Sequence, residues 1–244
     1  MTNFTVRYLP ETDSTSDYLK LLMKNNTLKE GTVILSDFQR SGRGRGKNTW
    51  HSEQDLNLTF SILFYPRIKP ADFFYLTEFV SLAIRDLLSA YDINATIKWP
   101  NDIYVSGRKI AGILIENSIT GNAIENTIAG IGINVNEVNF PPDIPNPTSM
   151  RIRKDRAFDK REVFDLFLEK LKYRYHQLMS GDPDAMHKQY NECLYKKDVF
   201  SEYRISGKEI KACLQEIKPS GELILKYENG TVKSCLFGEV EWIV

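Results

Sequence analysis

Residues 96–116, TIKWPNDIYVSGRKIAGILIE, decide how this chain is read. Thr96 to Trp99 is a short strand that Pro100 stops, because proline cannot donate to a strand ladder. Ile103-Tyr104-Val105 and Ile110 to Glu116 then flank Ser106-Gly107-Arg108, a hairpin signal. The stretch therefore predicts antiparallel sheet, with Asn101 and Asp102 at a strand end. A carboxylate there could hold Mg²⁺. Lys109 opens the return strand, and Gly112 allows close backbone approach to a ligand. An ordinary hairpin with a charged turn accounts for the same residues equally well.

On the N-terminal side, Leu58, Phe60, Ile62 and Phe64 alternate with Asn57, Thr59 and Ser61, so Asn57 to Phe64 is a strand. Phe4 to Leu9 and Thr32 to Ser36 read as further extended pieces. Asp13 to Asp17 sets hydroxyls and carboxylates ahead of Tyr18, Leu19, Leu21 and Leu22, which is a helix start. Ala71 to Tyr91 and Asp159 to Met179 carry apolar residues at helical spacing, and a short helix follows around Pro183 to Cys193. Past the hairpin, Gly121-Asn122 turns into a strand over Glu125 to Val135. Four prolines between Phe140 and Pro147 make that segment an ordered loop. From about Lys196, short strands alternate with turns at Ser206-Gly207, Ser220-Gly221 and Asn229-Gly230, the texture of a small β-barrel. The domain boundary is expected near 192–196, dividing the chain into 1–193 and 194–244.

Composition narrows the function class. The 244 residues carry 32 Lys+Arg and 32 Asp+Glu, and a net charge of zero argues against wholesale nucleic-acid coating. Three cysteines (Cys193, Cys213 and Cys235) without a CxxC, and three histidines without HExxH, point away from disulfides or zinc and toward a reducing cytoplasm. The start of the chain does not read as a signal peptide. No stretch approaches the ~20 apolar residues that span a bilayer, so a soluble protein without a membrane partner is expected.

Two further features suit a ligand. Arg40-Ser41-Gly42-Arg43-Gly44-Arg45-Gly46-Lys47 holds four basic residues and three glycines, with no acid between Asp37 and Glu53. Glycines let backbone N–H groups turn toward an anion, and arginines clamp carboxylate or phosphate with two hydrogen bonds. The spacing fits neither a Walker A loop nor a GxGxxG fingerprint. In Ala129-Gly130-Ile131-Gly132-Ile133-Asn134, alternating glycines weaken a strand, so something should pack against them. Asn134 offers both a donor and an acceptor, as reading a purine edge requires.

In this order, Asp13-Ser14-Thr15, Gly42-Arg43-Gly44-Arg45…Trp50, Lys98-Trp99-Pro100-Asn101-Asp102, Lys109…Gly112-Ile113-Leu114…Glu116 and Gly132-Ile133-Asn134 resemble the biotin–protein ligases. Gly238-Glu239-Val240 resembles the end of that family's small C-terminal domain. The resemblance implies an α+β fold: a mixed β-sheet with helices on one side, like a class II aminoacyl-tRNA synthetase, plus a small Src-homology-3-like β-barrel. It implies activation of biotin with Mg·ATP to biotinyl-5′-AMP, then transfer to a lysine of a biotin carboxyl carrier protein, as in acetyl-CoA carboxylase. Ser14, Thr15, Ser16 and Gln39 would take the ureido head, with Gly44 and Gly112 also at biotin. Arg43, Arg45 and Lys109 would bind both biotin carboxylate and phosphate and act in catalysis together with Asp102. Trp50, Asn101 and Asn134 would complete the ATP and adenylate site, with Asp102 on Mg²⁺. Family loops read GRGRxGRxW where this chain has GRGRGKNTW, so a glycine and a base each stand one place early.

The resemblance also covers members with an N-terminal helix-turn-helix repressor domain. Because Asp13-Ser14-Thr15 already belongs to the catalytic part, an enzyme without DNA binding is expected here. A homodimer paired at sheet edges is left open. Two rival readings are a lipoate–protein ligase of the same architecture and, more remotely, a nucleic-acid-binding module using the basic run.

Overall fold

The computed structural model describes residues 2–243; Met1 and Val244, the outer limits of the two expected domains, lie outside it. The strands β1 (Thr5–Thr12), β2 (Thr32–Gln39), β3 (Leu58–Phe64), β4 (Thr96–Lys98), β5 (Asp102–Val105), β6 (Arg108–Thr120) and β7 (Ala123–Ile133) form one sheet. Their order is β1-β2-β3-β7-β6-β5-β4. Only β1 and β2 run parallel. A parallel pair needs a crossover, and helix α1 (Thr15–Asn25) supplies it. Every other neighbour is antiparallel.

The alternation in β3 separates two faces, and both are buried. On one face Phe60 meets Phe164 and Phe167 at 5.1 and 5.2 Å, and Phe64 meets Phe79 at 5.3 Å. Those partners lie on α2 (Tyr75–Ala90) and α4 (Lys160–Met179). On the opposite face, Leu19 of α1 packs with Ile34, Leu63 and Ile128. Helices thus cover both faces of the sheet, and the expectation of helices on one side is corrected. Helix α1 lies there because its apolar stripe (Leu19, with Tyr18 and Leu22 beside it) has no other sheet surface to cover.

Helix α2 begins at Tyr75 rather than Ala71 because Pro70–Asp72 forms a separate 3₁₀ turn. A short α3 (Met150–Lys154), capped by the Ser149 hydroxyl, was not anticipated; one turn leaves no periodicity to read. Helix α5 (Pro183–Glu192) starts with proline at its first turn, where the missing N–H costs nothing. Among the described residues, no helix is long and apolar enough to cross a membrane.

The C-terminal strands are β8 (Phe200–Ile205), β9 (Lys208–Ile217), β10 (Leu223–Tyr227), β11 (Val232–Cys235) and β12 (Val240–Trp242). They form an antiparallel sheet ordered β11-β10-β9-β8-β12, whose outer strands β11 and β12 do not pair with each other. Where a small β-barrel is expected, the described residues form a five-stranded antiparallel sheet without barrel closure. The expected boundary falls between α5 and β8, yet Tyr203, Leu214 and Leu223 share one apolar cluster with α2 and α4. Polar contacts also cross it: Trp99 Nε1 donates to the Gly221 carbonyl at 3.0 Å, and Asn191 exchanges two hydrogen bonds with Ile217.

Candidate active site

The floor of the site follows from strand register. Thr59 pairs with Gly132 and Ser61 with Gly130, while Gly112 pairs with Gly132 and Leu114 with Gly130. Paired residues share a face, so three central strands present hydroxyls and glycines on the α1 face. This makes a trough at the start of α1, and a cavity of about 510 Å³ lies over it.

One end of the trough is a hydroxyl cluster. Thr15 donates its backbone N–H to Gln39 Oε1 at 2.8 Å and its hydroxyl at 3.0 Å. The hydroxyls of Thr15 and Ser16 each lie 2.8 Å from Ser61 Oγ. With its oxygen engaged, Gln39 keeps its NH₂ as a donor, and the hydroxyls both donate and accept. A group carrying N–H and C=O side by side matches that mixture. Ser14 caps α1 and lines the same cavity. Ser61 belongs to the cluster although the sequence presented it only as a polar residue in an alternating strand.

The basic run closes the trough as a small hairpin. Trp50 N–H donates to Gly42 O and Gly44 N–H to Asn48 O, both at 2.8 Å. Asn48 N–H donates to Arg45 O at 3.1 Å, and Gly46 at the turn has φ +64. A two-residue turn of this kind needs positive φ at its first central position, which accounts for a glycine one place early in GRGRGKNTW. The hairpin lays Trp50 across the glycine floor: a Cβ on Gly132 would stand 2.2 Å from the indole, and one on Gly112 2.9 Å. Gly132 and Gly112 make room for this ring, while Gly130 makes room for the Ser16 hydroxyl, which would stand 2.8 Å from a Cβ there. Past Trp50, His51 Nε2 lies 3.3 Å from the fully buried Glu137, whose other oxygen accepts from Asn57.

Two of the four cations in the run, Arg40 and Arg43, are compensated in three dimensions. Arg40 pairs with Asp13 at 2.7 Å and Glu11 at 3.1 Å. Arg43 pairs with Asp17 at 2.6 Å and Glu116 at 2.7 Å, and Lys20 joins Glu116 at 2.7 Å. Burial works to raise the Glu116 carboxyl, but hydrogen bonds from Lys20 and Arg43 outweigh it and hold it below the usual carboxylate range. Arg43 therefore latches the loop to α1 and β6, whereas the sequence cast it as an open cation. Arg45 differs. Among the described residues it has no carboxylate within 4 Å, burial lowers its pKa, and its guanidinium lies 4.4 Å over the Phe237 ring.

Arg45 faces a junction of charge. Lys109 Nζ is 2.6 Å from Asp102 and lies over the Trp50 ring at 5.7 Å. Lys98 Nζ is 3.1 Å from Tyr104 Oη, and burial lowers its pKa. Arg45, Lys98 and Lys109 against Asp102 leave an excess of two positive charges. Lys98 stands in the sequence motif without an expected role, and only the fold brings it to this junction. Asn101 spends its amide on the Ile113 carbonyl at 2.7 Å.

A second cavity of about 680 Å³ opens beyond this junction, walled by the proline-rich loop at Phe140, Pro141, Ile144 and Pro147. The two cavities share Trp50, Lys98, Asp102 and Lys109. Asn134 belongs to the second cavity and not the first, with its amide donating to the Thr148 carbonyl at 2.9 Å. Ser14, Thr15, Ser16, Gln39, Arg43, Gly44, Arg45, Trp50, Asn101, Asp102, Lys109 and Gly112 all line the first. Gly238 and Trp242 of the C-terminal sheet line it too, which sequence reading had not anticipated.

The sequence profile of the biotin/lipoate A/B protein ligase family matches residues 8–134. The bifunctional ligase/repressor BirA of Bacillus subtilis is 33% identical over 162 residues, covering 65% of this chain and 50% of that protein. Biotin–[acetyl-CoA-carboxylase] ligase of Paracoccus denitrificans is 30% identical over 166 residues, covering 65% of this chain and 68% of that one. Against bifunctional relatives of the first kind, the chain spans about half their length. Biotin protein ligase from Aquifex aeolicus, solved in complex with biotin and ATP, superposes with a TM-score of 0.80 at 26% identity, covering 97% of both chains.

Proposed function

The chain belongs to the biotin/lipoate A/B protein ligase family, and from that premise we propose that it converts biotin and ATP to biotinyl-5′-AMP and pyrophosphate. It then passes the biotinyl group to a lysine of a biotin carboxyl carrier protein. The observation that carries this reading is the pair of cavities meeting at Lys98, Asp102 and Lys109.

The chemistry needs such a junction. A carboxylate is a poor electrophile, and bringing it to the α-phosphate sets two anions side by side. Preorganised cations offset that repulsion and stabilise charge on the phosphate oxygens as the bond to pyrophosphate breaks. The hydroxyl cluster at Thr15, Ser16, Gln39 and Ser61 suits the ureido head, which would direct the carboxylate along the glycine floor toward Lys109 and Arg45. The second cavity suits the nucleotide, with Asn134 toward its base and the phosphates toward Lys98 and Lys109. A biotin carboxylate oxygen attacks the α-phosphorus and the bond to the β-phosphate oxygen breaks. In the second step the neutral carrier amine attacks the acyl carbon, AMP leaves, and the amine gives up a proton. Asp102 is the carboxylate at the junction that suits this proton.

A single carboxylate fits Mg²⁺ only as one ligand among phosphate oxygens and water, which is the usual Mg²⁺ shell beside a nucleotide. Asp102 would hold the ion and Lys109 would give up its pairing; when bound, the ion supplies charge neutralisation on the phosphates. Relatives named as biotin ligases favour biotin over the lipoate alternative. The nucleic-acid reading loses support because acids neutralise Arg40 and Arg43. Biotin-dependent exchange of labelled pyrophosphate into ATP tests the first step. Exchange is expected with biotin; exchange with lipoate alone, or with neither, contradicts the proposal.

A further inference from the structure

One turn of the C-terminal sheet lies against the cavity beside Arg45. Leu236 to Glu239 closes with Glu239 N–H donating to Leu236 O at 3.2 Å, and the Glu239 carboxylate accepts from Leu236 N–H at 2.8 Å. Gly238 takes φ +84, which this turn requires at its third residue. The turn sets Phe237 at its tip. There the ring stacks on Trp99 with centroids 5.1 Å apart and planes within 6° of parallel, and it meets Phe74 at 5.9 Å. Gly221 leaves no slack beneath it, since a Cβ there would stand 3.2 Å from Phe237 Cζ. The ring is therefore a fixed surface, and the Arg45 guanidinium lies 4.4 Å over it.

Arg45 has no carboxylate within 4 Å among the described residues, so this ring is the contact that orients its head. Its position on the loop hairpin brings it to the cavity, but an arginine side chain has four rotatable bonds and would otherwise sample many directions. A cation over an aromatic face keeps its full charge for an incoming anion, whereas an ion pair would have to be broken first.

We propose that Phe237 is a positioning residue that aims Arg45 at the anion junction, making the C-terminal sheet a working part of the active site. The role deepens the ligase reading and rests on it for its kinetic consequence. The orientation of Arg45 can be tested without activity.

The test compares Phe237→Leu, which keeps apolar bulk against Trp99 but removes the π face, with Phe237→Tyr, which keeps the face. In ligand-free protein, the Arg45 Nε–H signal should show a ring-current shift in wild type and Phe237→Tyr that Phe237→Leu abolishes. An unshifted wild-type signal overturns the proposal whatever the activity. In pyrophosphate exchange, Phe237→Leu should raise the KM for biotin and ATP and lower kcat/KM about two- to thirtyfold, the range for such a contact. The melting temperature should stay near wild type, and Phe237→Tyr should behave as wild type. In an Arg45→Ala background, Phe237→Leu should add nothing. Equal loss in the Leu and Tyr variants, or a further multiplied loss on top of Arg45→Ala, would mean that Phe237 acts through packing and would overturn the assignment. Absence of exchange in wild type counts against the ligase reading alone, because the Arg45 signal still decides the orientation.

Discussion

Gly132→Ala is the sharpest single perturbation of this site. A Cβ at that position would stand 2.2 Å from Trp50 Cε2, 2.5 Å from Cζ2 and 2.6 Å from Nε1. Ordinary carbon contacts lie near 3.5–4 Å, so the indole must move by more than ~1 Å. The strand cannot retreat, because Gly132 is paired with Thr59 on β3 and with Gly112 on β6. Trp50 closes a loop that is mostly exposed, so the ring gives way and not the sheet. Forcing an extra methyl into a filled site costs about 1–3 kcal/mol, which corresponds to about 5- to 150-fold in an equilibrium or rate. That cost should fall on closure over biotin, giving a comparable drop in kcat/KM for biotin. Global stability should hold, helped by the ~0.5–1 kcal/mol that alanine gains over glycine in a strand. Fluorotryptophan labelling gives one resonance for each of Trp50, Trp99 and Trp242, and only that of Trp50 should shift. Gly112→Ala should cost less, since its nearest contacts are 2.9 Å to the ring edge and 3.3 Å to the flexible Lys109 Cε. Full kcat/KM with an unmoved Trp50 resonance in Gly132→Ala would refute the seating of the indole on the glycine floor. So would a Gly132→Ala penalty that persists undiminished in a Trp50→Ala background.

Other expectations follow from the charge map. Glu116 is held below its ordinary range, so the Arg43 latch contributes stability that is fully present above the unfolded carboxylate value of about 4.3 and is lost as pH falls through the lower folded value. The stability gap between wild type and Glu116→Gln, measured by urea unfolding, should therefore narrow below about pH 4; a gap that widens on acidification would reverse the sign. His187 and the buried Glu78 lie 2.7 Å apart. Burial pulls His187 down, yet Glu78 outweighs it and the net pKa is raised, while burial raises Glu78. Both shifts mean that the folded state holds protons more tightly, so the Glu78 share is lost as pH rises from about 4.3 and the His187 share as pH rises from about 6.5 through the folded His187 value. Thermal scans of wild type against His187→Gln would show it, and a contribution that grows with pH would contradict it. Lys98→Met keeps the stem and removes the charge at the junction. It should lower kcat/KM for pyrophosphate exchange about tenfold or more with little change in melting temperature, as expected for a desolvated charge contact. Hydrogen exchange over residues 40–50 should slow with biotin plus ATP, because a loop with few apolar anchors opens easily when free; equal protection with and without ligands would argue against closure.

Much of the seven-stranded sheet was legible because its signals are local. Period-two alternation marked β3, and Ser106-Gly107 marked the β5–β6 hairpin. The glycines of β7 announced that something packs on them, but only the folded chain identifies Trp50 over Gly132 and Ser16 over Gly130. What escaped depends on distance in the chain. Asp17 and Glu116 reach Arg43 from 26 and 73 residues away, so an arginine that reads as bare positive charge becomes a paired latch. Ser61 looked like the wet side of a strand until α1 covered that face. The C-terminal strands declared themselves by their turns, whereas Phe237 meeting Arg45 and Trp99 has no sequence-local trace.

The central claim is transfer of biotin through an adenylate. It is tested most directly by incubating the chain with biotin, Mg·ATP and a biotin carboxyl carrier domain, and reading the carrier's intact mass. The account predicts a gain of one biotinyl group that requires ATP and is lost in Lys109→Ala and Arg45→Ala. An unmodified carrier with a folded enzyme, or a carrier that gains only a lipoyl group when lipoate is offered, would contradict it.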